Sequence, residues 1–82
     1  MYKRDDSEYI ADIHEAINRT ERYVRRMSYQ RFLKDTKTQD AVVRNFQIIG
    51  EAVKKISADF KRTHREIDWR NIAGMRDRFV HQ

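Results

Sequence analysis

Apolar positions recur in steps of three and four over two long stretches of the chain, a spacing that predicts two amphipathic helices. In the first, Ile10, Ile13, Ile17, Thr20, Val24 and Met27 fall on one face, and Arg19, Glu21, Arg22, Arg25 and Arg26 lie between them on a mostly wet face. Asp5-Asp6-Ser7-Glu8 reads as its start, with Asp5 and Glu8 at the spacing of a capping box. The second runs from about Thr38 to Ser57, with Val42, Phe46, Ile49, Val53 and Ile56 stepping four, three, four, three. Val43 and Ile48 widen that stripe, which places this helix at the centre, buried on more than one side. Thr36 and Gln39 offer it a capping box.

Between and after these stretches the pattern is shorter. Ser28 to Leu33 predicts a short helix or turn that carries Tyr29, Phe32 and Leu33 inward. Ala58 to Arg65 reads as a polar connector anchored by Phe60, and Asp68 as the N-cap of a third helix from Trp69, with Trp69, Ile72, Ala73 and Phe79 facing the core. The chain has no Pro and only two Gly, so long helices are the default. Gly50 sits inside the central stripe, where glycine costs about 1 kcal/mol relative to alanine. It is therefore expected where another backbone comes close. Tyr9, Tyr23 and Tyr29 read as helix-face packing residues with wet hydroxyls. The expected fold is all-α, one domain over residues 1–82: a small antiparallel helical bundle of two long helices and a shorter C-terminal one.

A chain of 82 residues buries only about 60% of its unfolded surface. With 39% hydrophobic and 38% charged residues the core is lean, which favours a bundle that gains stability by pairing with a second copy. There is no Cys, hence no disulfide framework or thiolate metal site. No run approaches the roughly 18 apolar residues of a membrane span, and the N-terminus lacks the apolar core of a signal peptide. A cytoplasmic location without membrane contact is expected. The net charge is +5, with nine Lys/Arg against eight Asp/Glu in residues 1–41 and nine against five in residues 42–82. The excess is thus expected in the C-terminal half, where it suits a polyanionic partner or is the ordinary imbalance of a solvated surface.

Candidate chemistry concentrates between Trp69 and His81. Arg76 and His81 stand five apart, with Asp77 directly after the arginine. A guanidinium holds phosphate through a fixed fork of donors, and an imidazole passes protons near neutral pH. Together they suffice for cutting RNA without a metal, so no metal or cofactor is expected. Helical residues advance about 100° each, which separates the two side chains by about 140°. Either the helix ends near Val80 and His81 turns back, or two copies face each other across a two-fold axis and line a shared groove. Asp77 is placed to brace Arg76 or His81, or stands in solvent. Arg78 binds backbone phosphate or is merely exposed. Glu51 is an exposed or capped carboxylate, or it orients Arg76 or a tyrosine hydroxyl. His14-Glu15 begins a zinc-protease pattern, but position 18 is Asn and the second ligand is absent. His64 reads as a surface or satisfied histidine.

The segment Arg76-Asp77-Arg78-Phe79-Val80-His81 resembles the Arg, four residues, His motif of HEPN-domain ribonucleases, which usually has a polar residue after the arginine. The block from Gln39 to Ala52, with Ile48-Ile49-Gly50-Glu51-Ala52 at its end, resembles the central helix of the HepT-like toxin branch, found beside MntA-like nucleotidyltransferase antitoxins. Ile67-Asp68-Trp69-Arg70 resembles the start of that branch's last helix, so the likeness covers roughly residues 8 to 81.

The resemblance implies a HEPN-like homodimer whose facing copies share one site, and a toxin-type endoribonuclease acting on single-stranded RNA. One His81 takes the proton of a ribose 2′-hydroxyl, Arg76 from either subunit stabilises the phosphate, and the second His81 protonates the leaving 5′-oxygen. Glu51 and Asp77 are the expected supporting residues, and Arg70 and Arg78 the expected RNA-binding ones. Family members usually continue past the histidine into a further helix, with a tyrosine two residues on that accepts AMP from the partner nucleotidyltransferase. This sequence stops at Gln82, so a C-terminally short form without that tyrosine is expected: truncated, inactive or cleaved. Two other readings compete. One is a non-catalytic helical module for dimerisation or partner binding. The other is a basic DNA-binding protein whose third helix, with Arg70, Arg76 and Arg78, poses as a recognition helix, although no short turn joins it to the helix before.

Overall fold

The first five helices of the chain each start where a short polar side chain takes up a free N–H group of the first turn. The computed structural model describes residues 4–80, with side chains to Asp77. It runs α1 (Asp6–Val24), α2 (Tyr29–Lys34), α3 (Thr36–Lys55), α4 (Ala58–Thr63), α5 (Trp69–Ala73) and α6 (Met75–Val80). No strand occurs among the described residues, and the fold is the expected small all-α bundle. Asp5 caps α1 by accepting the Glu8 N–H at 3.1 Å, Ser28 caps α2, Ser57 caps α4 and Asp68 caps α5. Such a cap contributes about 1 kcal/mol. The cap of α3 is Asp35 rather than Thr36. Its carboxylate accepts the Thr38 N–H at 3.0 Å and the Thr38 hydroxyl at 2.8 Å, and the Gln39 amide turns away to donate to the Phe32 carbonyl at 2.8 Å.

The two long helices lie antiparallel, and a polar clasp fixes their register. Asp6, at the start of α1, accepts the Ser57 N–H at 2.8 Å and its hydroxyl at 2.6 Å just past the end of α3. The contact surface between them is centred on Ala16, Ile49 and Val53, with Val42, Ala52 and Ile56 also buried. Trp69, Ile72 and Ala73 of α5 pack on the same cluster from the other side of α3, so α3 is the central helix. One polar group, Asn45, is buried with them, and its amide nitrogen has no acceptor among the described residues.

The Ser57 hydroxyl and N–H hold the Asp6 carboxyl below the usual carboxylate range, the Ser7 hydroxyl and then the Glu8 N–H do the same for Asp5, and the Thr38 N–H and hydroxyl for Asp35. A depressed folded-state pKa stabilises the fold above the ordinary aspartate value, and that stabilisation disappears as the pH falls through the folded value. The thermal midpoint is therefore expected to be flat near neutrality and to drop below about pH 4. Asp6→Asn should flatten part of that acid limb in a series of melts from pH 7 to pH 2. An unchanged limb would mean the clasp does not hold in solution.

Four expectations need correction. Tyr29 and Leu33 are not inward: they are 71% and 55% exposed. A helix of six residues set against α3 buries one side chain's worth of surface, and Phe32 takes that place. On α1 the buried residue is Ala16, while Ile17 is 44% exposed; close approach to α3 needs the small side chain, and the stripe rotates to suit. The connector after Ser57 is helical: Phe60 of α4 stacks on His64 at 4.1 Å and meets Trp69 edge-on at 6.0 Å, and the Trp69 indole donates to the His64 carbonyl at 3.2 Å. The third helix is two helices, broken at Gly74. Phe79, expected in the core, lies outside the described side chains. Among the described residues no helix is long and apolar enough to cross a membrane.

Candidate active site

Gly50 sets the position of the site. A Cβ at this residue would lie 3.1 Å from the Ala73 carbonyl oxygen, so α5 can seat its C-terminal end on α3 because the side chain there is a hydrogen. This is the close backbone approach expected of a glycine inside a buried stripe. Gly74 then caps α5, its N–H donating to the Arg70 carbonyl at 3.2 Å. The chain restarts as α6, and Met75 lines an apolar hollow with Phe46 and Ile49 of α3 and Ile17, Thr20 and Glu21 of α1.

The turn from α5 into α6 opens a cleft of about 190 Å³ against α3, walled by Phe46, Gln47, Gly50, Glu51, Lys54, Ala73, Arg76 and Asp77. Three of the expected residues thus meet here, although Glu51 is some 25 positions from the other two in the sequence. The Arg76 guanidinium is 3.4 Å from the Asp77 carboxylate, with side chains 45% and 74% exposed. That is a loose, solvated pair, which leaves most of the arginine's donors free for a ligand. Glu51 receives the Gln47 amide at 3.4 Å and shares the cleft with Arg76 without an ion pair to it among the described residues. Its other flank lines a second hollow with Tyr9, which Arg4 covers at 4.8 Å from the ring centroid while pairing with Glu8 and Asp12.

Arg70 is exposed on α5 and is not among the residues that wall the cleft. The side chain of Arg78 and the whole of His81 lie outside the described residues. Lys54 is the cleft residue that sequence reasoning missed. Its signal was spacing: 47, 50, 51 and 54 form one helical face, and a lysine on the face of an intrahelical glycine points where the glycine points. The other two histidines are engaged elsewhere. His14 Nδ1 lies 3.3 Å from the Asn18 amide, and His64 Nδ1 lies 2.9 Å from the Phe60 carbonyl.

A cleft with an arginine and a lysine able to grip a phosphate agrees with the comparisons to known proteins. The family model described as "Ribonuclease HepT-like" matches residues 13–82. "Probable ribonuclease HepT" of Thermococcus cleftensis is 51% identical over 79 residues, which is 96% of this chain and 72% of that protein. Two proteins of Methanocaldococcus jannaschii, "Putative RNase MJ0127" and "Putative RNase MJ1216", are 37% and 38% identical over 99% and 100% of the chain and 67% and 68% of their own lengths. No solved structure matches. The chain belongs to the HepT-like ribonuclease family.

Proposed function

We propose that this chain is a toxin-type endoribonuclease that cuts single-stranded RNA without a metal, at a site shared by two copies, and that a nucleotidyltransferase antitoxin of the MntA-like kind holds it in check in the cytoplasm. The observation that carries the reading is the cleft that gathers Arg76, Lys54, Glu51 and Asp77 at the junction of α3, α5 and α6, in a chain of the HepT-like ribonuclease family.

In this reading His81 of one copy removes the 2′-hydroxyl proton and the freed oxygen attacks the adjacent phosphorus. Arg76 stabilises the charge that builds on the non-bridging oxygens. The bond to the 5′-oxygen breaks, and the second copy's histidine gives that oxygen a proton. The products are a 2′,3′-cyclic phosphate and a 5′-hydroxyl. Support for the second copy comes from the largely apolar groove at the start of α6, lined by Ile17, Thr20, Glu21, Phe46, Ile49 and Met75. Ile17, nearly half exposed, is the kind of residue that a lean bundle covers by association. A copy seated there would stand one residue from Arg76.

The test is direct. Purified protein in excess EDTA should cut a single-stranded oligoribonucleotide, leave the same DNA sequence intact, and produce cyclic phosphate ends. Arg76→Ala and His81→Ala should each be inactive, and co-expression with an excess of His81→Ala chain should silence the wild-type chain, because a mixed dimer holds one histidine where the reaction uses two. Uncut RNA would overturn the enzyme and leave a non-catalytic dimerisation module. Activity that stays proportional to the amount of wild-type chain would overturn the shared site.

A further inference from the structure

Among the described residues the charges that line the cleft cancel, Lys54 and Arg76 against Glu51 and Asp77. A polyanion gains little net attraction from these four, and a surface that adds affinity for RNA lies elsewhere. The positive excess counted over residues 42–82 is spread along that half, and a denser one lies earlier in the chain. Residues 22–37 hold six Lys/Arg against one Asp, a net +5 that equals the charge of the whole protein; everything else balances, twelve against twelve.

This segment is the last turn of α1, all of α2 and the first turn of α3. Because α1 and α3 are antiparallel, it forms the end of the bundle opposite the Asp6–Ser57 clasp. Arg22, Arg25, Arg26, Arg31, Lys34 and Lys37 are all exposed, and among the described residues none of them forms an ion pair. The one acid, Asp35, is occupied in capping α3. Among these cations stand two tyrosines, Tyr29 at 71% and Tyr23 at 42% exposure. Unpaired cations around open aromatic rings are the makings of a single-strand surface, where charge follows the backbone and rings stack on unpaired bases.

We propose that the α1–α2–α3 end is a docking surface for the single-stranded RNA that flanks the scissile bond, with Tyr29 and Tyr23 as its stacking platform. The proposal rests on the ribonuclease reading above. It supplies affinity for a strand rather than for one phosphate. Duplexes, whose bases are already stacked, gain only the charge and bind less well.

The probe is a labelled 2′-O-methyl oligoribonucleotide of about twenty residues, which cannot be cut, followed by fluorescence anisotropy. The first variant is Arg25→Ser with Arg26→Gly and Arg31→Ser. Arg26 has φ 65°, a left-handed conformation that glycine adopts without strain, so this variant keeps its fold, which circular dichroism verifies. Affinity should fall at least tenfold at physiological salt, and the slope of log affinity against log salt should shrink by about 2. Tyr29→Ala should weaken binding about fivefold or more with the slope unchanged.

Unchanged affinity and slope in folded variants would overturn the docking surface. So would binding of poly-glutamate as tight as that of the oligonucleotide and indifferent to Tyr29, which would mark a site for acidic protein. The two readings fail separately. Wild-type protein that cuts RNA but whose variants bind it normally loses only the docking surface. Protein that binds through these residues and cuts nothing loses only the nuclease.

Discussion

Arg76→Ala is expected to reduce RNA cleavage by about 10²–10³, the usual cost of removing one donor that stabilises developing negative charge, while the thermal midpoint stays where it was. The two halves of this expectation have different grounds. The guanidinium's contact among the described side chains is an exposed carboxylate at 3.4 Å, and such surface pairs contribute about 0–1 kcal/mol. Stability therefore has little to lose. Arg76→Lys keeps the charge and loses the fork, so it should recover only part of the rate. Initial rates on one oligoribonucleotide, read beside melts of the same preparations, decide the matter. A variant that cuts normally would remove Arg76 from the chemistry, and one that melts far below the parent would make it structural.

The second large effect is expected at Gly50, and there the fold and the site move together. Valine would force branched methyls against the Ala73 carbonyl, which the first Cβ alone already approaches to 3.1 Å. Overpacking of this kind costs about 1–3 kcal/mol, and it falls on the seat of α5. Gly50→Ala should be close to neutral, because a helix-propensity gain of about 1 kcal/mol offsets a shift of a few tenths of an ångström. Trp69, the single tryptophan, lies on α5 and reports the damage. In Gly50→Val its emission should move toward that of an exposed indole at urea concentrations where the helical signal of α1 and α3 persists. Valine and alanine variants that melt alike would show that the carbonyl yields freely and that glycine is not required.

Both expectations depend on how much of the molecule was legible in the residues. The long helices were, because a stripe of Val42, Phe46, Ile49 and Val53 has one period and one face, and so was the need for a glycine at position 50. The caps were legible by residue type, although Asp35 displaced Thr36: a carboxylate accepts two hydrogen bonds from Thr38 at once, and spacing alone cannot rank two neighbours that both cap well. Ala16 was not legible. Alanine carries no hydrophobic weight in a periodicity count, yet it is what lets α1 approach α3. The helix of Ala58–Thr63 was hidden for a related reason, since its anchor is one ring, Phe60, held by His64 and Trp69 from beyond its own end. In the site, Glu51, Arg76 and Asp77 could be named from the resemblance, but that they share one hollow with Lys54 depends on the break at Gly74, and nothing in a two-glycine chain says which glycine ends a helix.

That break has a mechanical consequence. A helix of five residues and one of six are each far shorter than the roughly 12–15 residues at which a helix begins to sustain itself in water. The guanidinium is therefore mounted on a small lever whose rigidity is borrowed from whatever it rests on. A molecule pressing on α6 can tighten or loosen the guanidinium without disturbing the two long helices.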